Sequence, residues 1–358
     1  MGNIIDYINE FQSFDFNEKP FLSVDGLVLA CFAYFDFGKM VPTISEGSEN
    51  VTIDNLSKSQ NYDEMFIDTF DPLKSEELFQ AMLHSKRFGN ISLNYYVNEH
   101  DEKEEKQFSA ITIFFGDSVF IAYRGTDNSF VGWKENFNMS YIPVIPSQKE
   151  ASVYIDYVAK LTNAQIYLGG HSKGGNLSIY CASNCGEEIQ DRIVAIYSYD
   201  APGFKEDIHT QTGYLRVVDR ILKFVPNSSI VGMLLLQENN YFIVESNVRG
   251  ILQHDAFSWM IENGDFVYLE SLKEDSIQLN SILNTLIANI SDDERKRLVD
   301  VIYKIIMKNQ IKSANEFVSN WKKVVFGILI GIKGMSKDTR KSITQTARSL
   351  FFQMVKIG

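Results

Sequence analysis

The sequence is poor in the features that announce a secreted, metal-bound or membrane-spanning chain. It has three cysteines in 358 residues, Cys31, Cys181 and Cys185. An odd set without metal-binding spacing closes no disulfide framework, and free thiols in a reducing cytoplasm are the simplest reading. Prolines number only seven, and with 45% hydrophobic and 13% aromatic residues this excludes a disordered or low-complexity chain. Long apolar runs are missing too. The two longest, Gly26–Phe35 and Val324–Ile332, reach about half of the roughly 20 residues that span a bilayer. The first residues lack a basic stretch followed by an apolar one, so a secretory signal is not expected. Asp6 stands where myristoylation needs Ser or Thr. No internal repeat is visible.

Positive charge is scarce and unevenly placed. A net charge of −12 argues against a nucleic-acid partner. Residues 301–358 carry eleven Lys/Arg against two Asp/Glu, whereas residues 1–300 carry 23 basic and 44 acidic side chains. Together with a change of pattern near residue 273, this divides the chain into a body, 1–272, and a basic helical tail, 273–358. The stronger expectation for the tail is that its apolar faces pack on the body and its lysines are solvated. The weaker one is a peripheral contact with anionic membrane.

The periodicity within the body alternates. Residues 20–37 read as a buried helix, and Ser75–Phe88 as a second helix capped by Ser75 and stopped by Gly89. Residues 91–97, 108–115 and 118–125 are rich in β-branched and aromatic side chains, with Gly116-Asp117 as a hairpin turn. Then follow a helix at 147–162, a strand at 164–170, a helix at Lys173–Cys185, and strands at 193–200, 220–226 and 241–246. Near-continuously apolar strands alternating with helices imply an α/β fold whose sheet is covered on both faces. The tail reads as three amphipathic helices, with capping boxes at Ser291–Glu294 and Ser313–Glu316 and a cap at Ser336.

Chemistry concentrates at Gly170-His171-Ser172-Lys173-Gly174, directly after the apolar strand and directly before a helix. This G-x-S-x-G pattern suits a serine on a tight strand-to-helix turn, where a Cβ two residues to either side would strike backbone. The turn exposes Oγ, and the helix start aims free N–H groups at a developing oxyanion. A base is then required, and histidine suits neutral pH. Of the five histidines, His84 and His100 precede the elbow, His171 adjoins the serine and would point away from Oγ, and His209 lies in a polar loop. His254 follows the last sheet strand by a short loop and is the candidate. Asp200 ends a strand before Ala-Pro-Gly and is the preferred acid, with Glu245, Asp255, Glu238 and Asp219 as rivals. Finally, Tyr123-Arg124-Gly125-Thr126-Asp127 closes an earlier strand. The backbone N–H groups of Thr126 and Lys173 are the candidate oxyanion donors.

These residues together resemble class 3 lipases, the fungal triacylglycerol lipase type. That family has a strand ending Phe-Arg-Gly-Thr, a Trp shortly after, and a G-H-S-x-G elbow; here the matches are Tyr123–Thr126, Trp133 and Gly170–Gly174. From Pro20-Phe21 through Gln253-His254-Asp255, over about residues 5–265, the chain is similar to a bacterial lipase-like family of mostly unassigned function. The resemblance implies an α/β-hydrolase fold, mostly parallel, and a serine hydrolase acting on acyl or lipid esters without cofactor or metal. One departure stands out. Class 3 lipases place the acid in D-x-V-P, where this chain has Ser229-Ile230-Val231-Gly232, and a serine cannot supply the charge. Pancreatic-type lipases carry it one strand earlier, in a context like Tyr199-Asp200-Ala201-Pro202, which favours Asp200. On this reading Ser229→Ala costs little. A thioesterase or acyltransferase on the same triad, and a non-catalytic hydrolase-like scaffold, remain as alternatives.

Overall fold

In the computed structural model, residues 1–46, 49–238, 240–311, 316 and 320–346 are described. The described residues form eleven strands: β1 (Val51–Thr52), β2 (Ser92–Asp101), β3 (Lys106–Phe115), β4 (Ser118–Tyr123), β5 (Gln165–His171), β6 (Ile193–Tyr199), β7 (Ile221–Pro226), β8 (Phe242–Val244), β9 (Ile261–Glu262), β10 (Asp265–Phe266) and β11 (Tyr268–Leu269). The longer helices are α1 (Ile4–Phe11), α2 (Ser23–Phe32), α3 (Pro72–His84), α4 (Phe130–Asn138), α5 (Pro146–Leu161), α6 (Lys173–Asn184), α7 (Glu274–Asn289), α8 (Asp292–Lys308) and α9 (Trp321–Gly331).

One sheet runs in the order β1-β2-β3-β4-β5-β6-β7-β8-β11. Strands β4 to β8 pair in parallel, while the β1–β4 edge and β11 are antiparallel. The sheet is therefore mixed, with a parallel centre. Gly116, at φ 52°, makes the β3–β4 turn that the sequence marks. Alternate side chains feed two cores. Phe120, Ala122, Tyr197 and Tyr199 face α2, and Val119, Ile121, Tyr123 and Ile196 face α5 and α6. That two-sided burial makes these strands apolar throughout and makes α2 buried around nearly its whole circumference. The fold is an α/β-hydrolase fold.

Two helix expectations change. The second helix begins at Pro72, capped by Asp71, whose carboxylate accepts from Lys74 N–H. Proline at the first position and a carboxylate at the cap outcompete Ser75, which is buried. That helix ends at His84, and Ser85 caps a separate short turn, Lys86–Gly89. A pair the periodicity did not announce ties these N-terminal pieces together. Arg87 and Asp25, both fully buried, meet at 2.5 Å, and Tyr7 donates to the same carboxylate at 2.8 Å. In the tail, Ser291 caps α8 and Ser336 accepts from Thr339 N–H, as expected. Glu294 does not complete the box; it accepts instead from Ser336 N–H and Thr339 Oγ1. The Ser313–Glu316 box lies outside the described residues except for Glu316. The tail folds back on the body, with Ile306, Ile311 and Val324 against Phe130, Trp133 and Phe137 of α4. Among the described residues no helix is long and apolar enough to cross a membrane.

Candidate active site

Strand β5 delivers the chain to Ser172, which sits at φ 56°, ψ −131° as the cap of α6. Few non-glycine residues adopt this left-handed conformation, and it turns the chain from strand to helix in one residue. The flanking glycines are required by contact. A Cβ on Gly170 would lie 2.4 Å from the Gly174 carbonyl carbon, and one on Gly174 would lie 2.0 Å from the Tyr123 oxygen. The elbow is held by Ser172 N–H donating to Tyr199 O at 2.8 Å.

Lys173 then starts α6, and its side chain is fully buried. Its ammonium donates to Glu135 at 2.6 Å, Gln107 O at 2.6 Å and Gln107 Oε1 at 2.8 Å. Glu135 also accepts from the backbone N–H groups of Gln107 and Ser147. This buried, satisfied pair fixes the first turn of α6 to β3 and α4. Across from it, Gly125 packs so tightly that an added Cβ would sit 3.2 Å from Ser172 Cβ. Thr126 is buried, and its Oγ1 has no partner among the described residues. Neither Thr126 N–H nor Lys173 N–H is engaged by a backbone carbonyl among the described residues. The Thr126 loop is braced by Asp127, which accepts from His100, Arg124 and Ser129. Burial opposes the charge on Asp127, but these partners outweigh it and hold its carboxyl well below the usual range.

Asp200 leaves β6 at φ 45° and is buried. His254 Nδ1 donates to its Oδ2 at 2.6 Å, which leaves Nε2 as the free nitrogen. Ser229 Oγ and Gly232 N–H donate to Oδ1 at 2.5 and 3.1 Å. Burial pushes against ionisation of Asp200, but the bond to His254, its charge and the Ser229 hydroxyl prevail, and the carboxyl lies below its ordinary range. Two of the four rival acids face lysines instead. Asp255 faces Lys74 at 3.6 Å, and Glu238 faces Lys223 at 2.9 Å. His84 bonds Gln80 O, His100 bonds Asp127, and His209 bonds Asp207.

The part played by His171 escapes a reading of the sequence. Its ring lies against that of His254, centroids 4.5 Å apart and tilted by 37°, and its Nε2 lies 2.7 Å from His254 O. Tyr34 OH lies 3.1 Å from its Nδ1. A carbonyl can only accept, so Nε2 carries the proton and Nδ1 accepts from Tyr34. Burial, aided by the His254 charge, holds His171 down at about 3, so it stays neutral. The residue before the elbow serine thus grips the backbone of the candidate base. Ser229 was equally missed as a support for Asp200. Its only sequence signal was that it fills the place of the class 3 acid. Among the described residues no hydrogen bond joins Ser172 Oγ to His254, and such contacts commonly close only as substrate arrives.

A parallel-centred sheet with a serine elbow after β5, an aspartate at the end of β6 and its paired histidine in the loop after β8 is α/β-hydrolase architecture. The chain belongs to the Mbeg1-like family, whose model matches residues 82–304. Among solved structures it is similar to M37 lipase, at 16% identity over 60% of this chain and 70% of that one, TM-score 0.35. It is also similar to a lipase from Rhizopus microsporus var. chinensis, at 14% identity over 70% and 89%, TM-score 0.33. No curated protein matches. The fold assignment rests on the sheet order itself.

Proposed function

We propose that this protein hydrolyses carboxylic esters of acyl or lipid type, with Ser172 as nucleophile, His254 as base and Asp200 as orienting acid. The 2.6 Å bond from His254 Nδ1 to Asp200 carries the reading, because it leaves Nε2 unprotonated beside the elbow. Ser172 Oγ attacks the ester carbonyl carbon while its proton passes to Nε2. The oxyanion is held by the N–H groups of Thr126 and Lys173. The same proton then goes to the departing alkoxide, leaving an acyl-serine. Water repeats the sequence, giving up a proton to His254, releasing the carboxylic acid and restoring Ser172. Buried free thiols at Cys31 and Cys181 fit a cytoplasmic setting. A panel of p-nitrophenyl esters of graded chain length tests the reading. Turnover that rises with acyl length supports lipid esters, and preference for thioesters redirects the triad to a thioesterase.

A further inference from the structure

The first tail helix, α7, presents an unexpected face to the body. Ser276, Asn280 and Asn284 recur at four-residue spacing, so they share one face. Ser276 and Asn280 are buried, while Ile277 is half exposed. A helix that merely docks turns an apolar stripe inward. Here the inward stripe is polar, and burying it costs free energy unless each group finds a partner of fixed direction. The partners lie on one loop, 227–235. Ser276 Oγ and Asn280 Nδ2 both donate to Ser229 O, at 2.6 and 2.8 Å. Asn284 accepts from Leu235 N–H and donates to Met233 O, both at 2.9 Å.

That loop touches Asp200 and the residue before His254. Ser229 Oγ and Gly232 N–H occupy Asp200 Oδ1, and a Cβ on Gly232 would strike that oxygen at 2.2 Å. On its other flank, Ser228 N–H donates to Gln253, the residue before His254, at 2.7 Å. Apart from a single 3-10 turn at Val231–Met233, the loop has no regular structure of its own. Its position is set from outside.

We infer that α7 is a positioning element of the triad: Ser276 and Asn280 hold Ser229, and Ser229 holds the Asp200 carboxylate toward His254. This rests on the proposed hydrolase reading for its catalytic consequence, but its geometric content stands apart from activity. The test uses the full chain with Ser229→Ala, Ser229→Thr, isosteric Asn280→Asp, and Ile277→Ala as control. With a p-nitrophenyl ester, Ser229→Ala and Asn280→Asp should lower kcat by about 10- to 100-fold with KM nearly unchanged, since slight misplacement of a catalytic group acts on the chemical step. Ser229→Thr, which keeps the donor, should restore most of it, and Ile277→Ala should match the parent. In parallel, proton NMR follows the far-downfield resonance of the His254 Nδ1 proton, which should shift or broaden in Ser229→Ala and Asn280→Asp. Unchanged kcat, or an unchanged resonance in folded variants, overturns the inference. A parent that hydrolyses no ester defeats the hydrolase reading alone, and the resonance still decides this one.

Discussion

Ser172 and Asp200 both occupy the left-handed region, at φ 56° and 45°, and such positions cost on the order of 1–3 kcal/mol each unless neighbours compel them. Both are compelled by the adjacent strand, through Ser172 N–H to Tyr199 O and Asp200 N–H to Phe224 O, each 2.8 Å. These residues were legible because a turn is a local event, and Gly-x-Ser-x-Gly and Tyr-Asp-Ala-Pro announce it within five residues. His171 and Ser229 were not, because each acts on a residue 29 or more positions away. If Asp200 orients the base, Asp200→Asn should fold yet lose about 10⁴ in kcat, while Asp255→Asn stays near parental turnover. Steady-state kinetics with circular dichroism checks both. A pH signature also belongs here. His171 titrates near 6.5 when unfolded and at about 3 when folded, so between these values only the unfolded chain gains the proton. Stability should fall as pH drops from about 6.5 toward 3, by up to a few kcal/mol. The lowered Asp200 carboxyl adds loss in the same direction at the acid end. Thermal midpoints against pH should be flatter in His171→Gln, and parallel curves would remove His171 from this account.

At the scale of elements, strands were read more accurately than helix starts. A strand buried on both faces must be apolar along its length, whereas a helix start depends on which of several caps faces outward. Asp71-Pro72 won over Ser75 for that reason. The elbow helix α6 owes its placement to a charge pair that no periodicity marks. Glu135 lies on α4, 38 residues from Lys173, and both are fully buried. Removing one partner strands the other's charge in the interior. Glu135→Gln should therefore destabilise the protein by about 3–5 kcal/mol in urea unfolding. A change below about 1 kcal/mol would mean that the ammonium is solvated and the pair does not pin the elbow.

Over the whole molecule, the charge asymmetry drew attention to the tail, but charge could not say which of its faces meet the body. One side of α9 packs through Val324, while Phe326 and Ile330 remain 66% and 48% exposed. We propose that this exposed pair, on a tail whose sequence is rich in lysine, gives only weak contact with anionic lipid. In flotation, partial recovery with anionic vesicles should vanish in high salt and in Phe326→Ser/Ile330→Ser; equal recovery with neutral vesicles would contradict it. The central claim is the proposal that Ser172, on the elbow between β5 and α6, is the nucleophile. Its most direct measurement is the intact and peptide mass of the full chain after treatment with a fluorophosphonate. The account predicts one adduct, on Ser172, absent from Ser172→Ala. No adduct, or an adduct on another serine, would contradict it and leave a hydrolase-like scaffold without the chemistry.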